Sequence, residues 1–525
     1  MTARLVLRGG LVWTGRGRPP ARALAAGDGR VMALDAEAEA AIGPATRVVE
    51  LDGRLAVPGF NDAHVHFLEG GLALLSVDLR AATDEDDLAR RLGERARSLP
   101  AGAWITGGQW DHHAWPSGGL PSRAAADAAT PAHPVFVRRL DGHMALANSL
   151  ALQAAGITRE TQDPVGGTIE RDARGQPTGI LKDEAMGLVR RAMPPRSPAR
   201  MRLAVQAAMA EAARLGVTTV QDNSPVESLA VYQELHDEGA LTVRLCAWRP
   251  IEVLDALIAA GARPGLGDEW LRLGALKLLA DGSLGAGTAA FREGYADEPA
   301  NRGLLLKPAE EIERLILRAD AHRFQLAVHA IGDRANTLVL DCFERARRAN
   351  PPWDRRWRIE HAQHVAPGDL ARFRDLGVIA SLQPFHAMDD MRWAERRLGQ
   401  ARLAEAYRLR SFLDAGVEVA FGTDWYVEPL DPRTVLHAAV RRQDAQGRPP
   451  DGWRPGERVS LEQALDAYTR GAAVAERAER DKGTLAPGRL ADVVVLSRNI
   501  LEDEAAVLQA EVDLTVVGGR VVYER

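Results

Sequence analysis

The sequence predicts an α/β protein built on a closed (β/α)8 barrel of the TIM type, with a small β domain drawn from both chain ends. Three observations point there. Short β-forming apolar runs alternate with longer helix-like segments between residues 55 and 424, the pattern of βαβ units around a parallel sheet. Eight such runs can be counted, the number a barrel needs. Both ends of the chain carry a Gly-Gly pair flanked by β-formers. An open doubly wound sheet is the rival, but no GxGxxG or P-loop follows any of the runs.

Taken in order, Leu5–Trp13 and Leu514–Tyr523 each flank their glycine pair with β-formers and are expected as hairpins. Arg47–Leu51 follows the first and Asp492–Leu496 precedes the second, so residues 1–56 and 480–525 are expected to pair into one sheet domain; two unrelated hairpins are the alternative. The barrel, residues 57–479, takes its strands from Leu55–His66, Val217–Asp222, Leu241–Trp248, Leu271–Leu279, Gln325–His329, Arg356–His361, Val378–Gln383 and Val417–Asp424. Helices are expected at Ser197–Leu215, Pro308–His322 and Leu398–Ala415. The first two strands stand about 150 residues apart, too far for one crossover. Residues 70–200 are therefore expected as an inserted, cap-like subdomain.

Composition narrows the function classes. With 66 basic and 72 acidic residues the net charge is −6, so no basic surplus recommends a nucleic-acid partner. The two cysteines, Cys246 and Cys342, cannot make a disulfide framework or a Cys-rich zinc site, and fit a reducing cytoplasm. No apolar run reaches the roughly 18 residues of a membrane span, and Arg8, Gly9 and Gly10 interrupt the apolar stretch at the N-terminus. These features lead us to expect a cytoplasmic protein acting on a small molecule, without nucleic-acid or membrane partners, as a monomer or a homodimer.

The chemistry gathers at the C-terminal tips of the expected strands, where barrel active sites lie. The first strand ends Asn61-Asp-Ala-His64-Val-His66, and a strand period of two puts both imidazoles on one face. His329 closes the fifth strand, His361 the sixth and Asp424 the eighth. Four histidines and an aspartate form a nitrogen and oxygen set suited to zinc or a similar divalent ion, one or two per chain. Lys277 shares the face of Leu273, Ala275 and Leu279, which should be buried. A buried lysine must lose its charge or find an anion. One reading is a salt bridge to Asp281 or an outward register. The functional reading is a CO2-derived carbamate, which turns the cation into an oxygen ligand able to bridge two metals.

Seven segments carry a family resemblance: PGFNDAHVHF (58–67), KLLADGSLGAGTAAF (277–291), HAIGDRA (329–335), RIEHAQ (358–363), SLQPFHAMDD (381–390), FGTDW (421–425) and GTLAPGRLADVVVL (483–496). In this order they resemble the amidohydrolase superfamily, in particular its YtcJ-like branch, which includes N-substituted formamide deformylases. The resemblance covers nearly the whole chain. It implies a barrel with a metal centre and a small β-sandwich built from both termini. It assigns the ligand positions to His64, His66, Lys277, His329, His361 and Asp424. After Asp424 the chain reads Trp-Tyr-Val where many relatives carry Trp-Pro-Val or similar, which implies a change in the local loop.

The expected reaction is hydrolysis of an amide-like C–N bond, in an N-substituted formamide, an N-acyl compound or a cyclic amide. Metal-activated hydroxide attacks, and Asp424 moves the proton from water to the leaving amine. The resemblance brings His143, in the run Arg138–Ser149, near the metal for oxyanion or substrate binding, and His386, just past the seventh strand, is a similar candidate. His364 is as readily a support for the ligands as a bystander. Trp104, Trp110, His112, His113 and Trp115 crowd one region of the insertion and are read either as core or as the lining of a cleft. Ester or lactone hydrolysis, deamination or isomerisation on the same scaffold, and a barrel that has lost catalysis, are the alternatives. The ligand-position residues favour an enzyme, and Lys277 disfavours a deaminase.

Overall fold

Eight parallel strands stand side by side in sequence order: Phe60–Val65, Val217–Asp222, Arg244–Pro250, Leu271–Leu279, Leu326–Ala330, Arg358–His361, Ile379–Leu382 and Val419–Phe421. This computed structural model describes residues 2–112, 115–139, 144–164 and 167–525. The seam between the eighth strand and the first is stitched by Asp424 N–H to the His64 carbonyl (2.7 Å) and His66 N–H to the Trp425 carbonyl (2.5 Å). Val65 bridges Trp425 in parallel at the same place. The sheet thus closes into the barrel. Strands such as Val217–Asp222 and Arg358–His361 are buried at every position, as a sheet covered on both faces requires. The surrounding helices bury one stripe each, as Ile312, Ile316 and Ala319 do in Ala309–Ala321.

The expected strand Leu55–His66 is two strands. Leu55–Pro58 pairs with Leu11–Val12 and with Val493–Leu496 in a separate sheet, whereas Phe60–Val65 opens the barrel. Gly59 stands between them where no side chain fits, since a Cβ there would lie 2.2 Å from Thr218 Oγ1. That separate sheet runs Arg520–Glu524, Val512–Val517, Val493–Leu496, Leu55–Pro58, Leu5–Val12, Ala21–Gly27, Arg30–Leu34, with Arg47–Glu50 also on Leu5–Val12. At the C-terminus, Gly518-Gly519 turns a hairpin with both φ values positive (55° and 70°). At the N-terminus the expectation fails. Leu5–Val12 passes through Gly9-Gly10 as one strand with an irregularity after Arg8. A Cβ on Gly10 would sit 2.5 Å from the Arg54 carbonyl and from Leu51 Cβ, so the glycine serves close approach rather than a turn. The expected helix Leu398–Ala415 also divides, into Ala394–Leu403 and Arg410–Asp414, around Tyr407 at φ 50°.

The chain separates into two compact units, residues 1–68 with 208–525, and residues 69–207. In the first, the buried Arg244 at the start of the third barrel strand holds Asp492 with two bonds (2.8 and 2.9 Å). Asp492 directly precedes Val493–Leu496, so this pair joins the barrel to the terminal sheet. Residues 69–207 contain a six-stranded mixed sheet with its own apolar core. Trp110 (0% exposed) and Trp115 (4%) belong to that core, where their Nε1–H groups donate to the Val137 and Ala82 carbonyls. They do not line a cleft: each buried ring satisfies its one polar atom inside the unit. Trp104 packs partly buried against a second core cluster of this unit, and His112 is buried. His113 and His143 lie outside the described residues. Among the described residues no helix is long and apolar enough to cross a membrane.

Candidate metal centre

The barrel strands carry the expected side chains to one place. His64, inside the first strand, and His66, just past it, have ring centres 5.9 Å apart. From the fourth strand, Lys277 brings its Nζ to 3.1 Å from His64 Nε2. The His361 ring centre lies 5.1 Å from that of His64 and 4.6 Å from that of His329. Asp424 Oδ1 is 3.1 Å from His66 Nε2 and 3.6 Å from His64 Nε2, and its Oδ2 is 3.8 Å from His386 Nε2. Ligand atoms of His64, His361 and Asp424 all lie within 4.8 Å of one another. His361 (φ 72°) and Asp424 (φ 58°) hold left-handed backbones at their strand tips, a strain of order 1 kcal/mol or more that concentrates at functional sites.

Lys277 forms no pair with Asp281. The Asp281 carboxylate instead accepts the N–H groups of Ala290, Ile331 and Gly332, and burial pushes its pKa up to about 7. It thereby ties the loop after the fourth strand to the tip of the fifth. Burial lowers Lys277 to about 8, against the pull of Glu360 and Asp424. His64 is lowered to about 4 by burial and the Lys277 charge, and His329 to about 4 for the same reasons. Burial also carries His361 well below the ordinary imidazole range. Asp424 is opposed by burial but held well below the carboxylate range by His64 and His66.

Three acceptors orient the imidazoles, and none was singled out in the sequence. Glu360 Oε2 lies 2.7 Å from His64 Nδ1, Gln383 Oε1 2.8 Å from His361 Nδ1, and the Gly282 carbonyl 3.0 Å from His329 Nε2. Each oxygen can only accept, so each ring carries its proton on that side and turns a lone pair the other way: Nε2 of His64 and His361, Nδ1 of His329. Glu360 is itself clamped by Arg358, whose Nε and Nη2 reach its two oxygens at 2.5 and 3.2 Å. Arg358 also bonds Gln221, the Ala63 carbonyl and Ser381 Oγ. One signal was available. Arg358 and Glu360 alternate on a strand buried at every position, and two buried charges must be paired. Asp62 seals the seam from behind, accepting from Thr423 N, Thr423 Oγ1 and the Tyr468 hydroxyl. His364, three residues beyond His361, turns away to pack on Phe291 and Tyr407.

These groups fit a divalent cation. The imidazoles of His64, His329 and His361, lowered by burial, present lone pairs, while Asp424 raises His66; the adjacent carboxylate is ionised, and Asp424 Oδ1 is buried without an aligned hydrogen-bond donor. The sequence profile of the amidohydrolase family matches residues 47–523. The chain belongs to the amidohydrolase family. It is 38% identical to Protein LONG AFTER FAR-RED 3 of Arabidopsis thaliana, over 100% of this chain and 92% of that protein. It is 32% identical to the putative amidohydrolase YtcJ of Bacillus subtilis (92% and 91%) and 28% identical to the N-substituted formamide deformylase of Arthrobacter pascens (96% and 95%). Among solved structures, an uncharacterized metal-dependent hydrolase from Pyrococcus furiosus superposes with a TM-score of 0.79 at 31% identity, over 95% of this chain and 99% of that one. Family membership and the His64–His361–Asp424 set together support a divalent metal in this amidohydrolase.

Proposed function

We propose that this amidohydrolase cleaves the C–N bond of a small amide-like molecule, an N-substituted formamide, an N-acyl compound or a cyclic amide. The observation that carries the reading is the convergence of His64, His361 and Asp424 within 4.8 Å, with the two ring protons held away by Glu360 and Gln383. The formamide arm of the proposal is supported by the likeness to the Arthrobacter deformylase.

On this reading His64, His66, His329, His361 and Asp424 hold zinc or a similar divalent cation, which when bound acidifies water from a pKa of 15.7 toward about 7 and polarises a carbonyl. Asp424, ionised and at the edge of the set, accepts the proton of the attacking water and passes it to the leaving nitrogen. His386 Nε2, buried without a hydrogen-bond partner 3.8 Å from Asp424 Oδ2, donates to the carbonyl oxygen as negative charge develops there. His143 is retained as a substrate-binding candidate. Lys277 completes the proposal as a carbamate: its neutral amine adds to CO2, one N–C bond forms as one C=O π bond of CO2 opens, one proton leaves the nitrogen to solvent, and a single negative charge is shared by two oxygens. Burial and the lowered pKa favour the neutral amine that this step needs.

The test is metal analysis of the purified protein together with hydrolysis of a panel of N-formyl, N-acyl, cyclic-amide and ester compounds, before and after chelation. Amide cleavage that disappears on chelation and returns with zinc is expected. Cleavage of esters alone, or turnover unaffected by complete metal removal, overturns the proposal.

A further inference from the structure

A second group of buried polar side chains lies apart from the metal-facing atoms and takes no part in the chemistry above. Arg442, which ends the helix Pro432–Arg441, is 0% exposed. Its Nε donates to the Trp453 carbonyl at 3.0 Å, but Nη1 and Nη2 are buried with no acceptor among the described residues. Arg454 gives Nη2 to the Ala404 carbonyl (2.8 Å) and leaves a buried Nη1 in the same condition. His364, 2% exposed, has neither ring nitrogen bonded.

Aromatic rings link His364 to Arg442, and Arg454 directly follows Trp453 in the chain. The Tyr407 ring centre lies 5.5 Å from that of His364 and 5.4 Å from that of Trp453, and the Arg442 guanidinium carbon stands 5.6 Å over the Trp453 ring. Nearby carboxylates are already committed. Glu457 accepts from the Ser411 hydroxyl (2.6 Å) and N–H (3.0 Å), with Arg454 only at 3.9 Å, and Asp390 takes the Tyr407 hydroxyl. Every unsatisfied group on the two arginines is a donor on a cation; the Glu457 charge reaches both, and one carboxylate against two guanidinium groups leaves a buried positive charge to be balanced. After burial itself, Arg454 depresses Arg442, and Arg402 and then Arg454 depress His364.

We propose that Arg442, Arg454 and His364 form a buried site for a small monovalent anion of the size of chloride. Two guanidinium groups supply the charge and at least three N–H donors, and His364 turns one ring N–H to the same ion. The enclosure by Tyr407 and Trp453 excludes bulky organic anions. The site has a structural consequence, because Tyr407 N–H bonds the Gln363 carbonyl at 2.6 Å and its hydroxyl bonds Asp390 on the helix that begins with His386. An occupied site braces the segments that follow His361 and carry His386.

The experiment follows thermal unfolding of the whole protein at constant pH and ionic strength while sodium gluconate is replaced by sodium chloride or bromide. A saturable rise in Tm of at least about 2 °C is expected in chloride and bromide but not in gluconate. The rise should be absent in Arg442→Met and reduced in Arg454→Met. Crystals grown in bromide should show anomalous density against Arg442 Nη1 and Nη2, a measurement that needs no variant to fold. Identical melting in all three salts, or only water at that position in the bromide crystal, overturns the proposal.

Discussion

His64 Nδ1 and Glu360 Oε2 stand 2.7 Å apart, both fully buried, and are joined from strands that the sequence separates by 296 residues. Burial alone would raise the Glu360 pKa, but Arg358 and then His64 pull it down to about 2. The carboxylate therefore stays ionised and holds the His64 proton on Nδ1, away from the metal-facing side. Glu360→Gln preserves shape but loses that charge, and metal affinity should fall about 10- to 100-fold. Competition with a chromogenic chelator measures it. Unchanged affinity would show that Glu360 serves only to neutralise Arg358.

Asp424→Asn keeps volume and removes the base. Turnover on whichever amide the panel identifies should drop by about 10²–10⁴-fold, with circular dichroism and Tm close to those of the parent protein. Near-normal turnover in the folded variant would remove Asp424 from proton transfer.

Lys277→Ala should lose bound metal and activity together, and a small carboxylate such as propionate in the buffer should restore part of both. Independently, ¹³C-bicarbonate given to the unsubstituted protein should produce a carbamate carbon signal that Lys277→Ala lacks. A bare amine beside a fully loaded centre would exclude the modification.

Glu476 links stability to pH. It accepts from Asn61 Nδ2 (2.7 Å), Arg272 Nη2 (2.6 Å) and Lys482 Nζ (2.7 Å). Burial opposes its ionisation, yet Lys482 and Arg272 hold it at about 2, below the ordinary 4.5. A carboxylate depressed on folding contributes stability above its unfolded pKa and loses that contribution as pH falls from about 4.5 toward 2. Glu476→Gln should therefore flatten the acid limb of the Tm–pH curve in that window. An acid limb of unchanged steepness would assign it to other carboxylates.

Trp110→Ala should destabilise residues 69–207 by about 3–5 kcal/mol, the cost of emptying a core aromatic site, because the ring is 0% exposed. Denaturant unfolding read by hydrogen exchange within that unit checks the size and place of the loss. A change in substrate preference without loss of stability would return the ring to a binding role.

The eight barrel strands and the chemistry at their tips were legible because they are local. A run of β-formers, a period of two that puts His64 and His66 on one face, and a histidine or aspartate ending a strand each need only a few neighbouring residues to be read. The hairpin at Gly518-Gly519 was legible for the same reason. The identical dipeptide Gly9-Gly10 was not, since its role is set by Arg54 and Leu51 pressing against it from a neighbouring segment. The run Leu55–His66 divides between two sheets because its halves pair with remote segments, Leu55–Pro58 with Val493–Leu496 and Phe60–Val65 with Val217–Asp222. Tertiary structure likewise buried Trp110 and Trp115, whose polar surroundings in the chain suggested a cleft. It also decided which nitrogen of His64, His361 and His329 faces inward, through Glu360, Gln383 and the carbonyl of Gly282. Residue type and period determine what a side chain can offer. Only the closing of the barrel, which brings distant strands within hydrogen-bond range, decides what it is offered to.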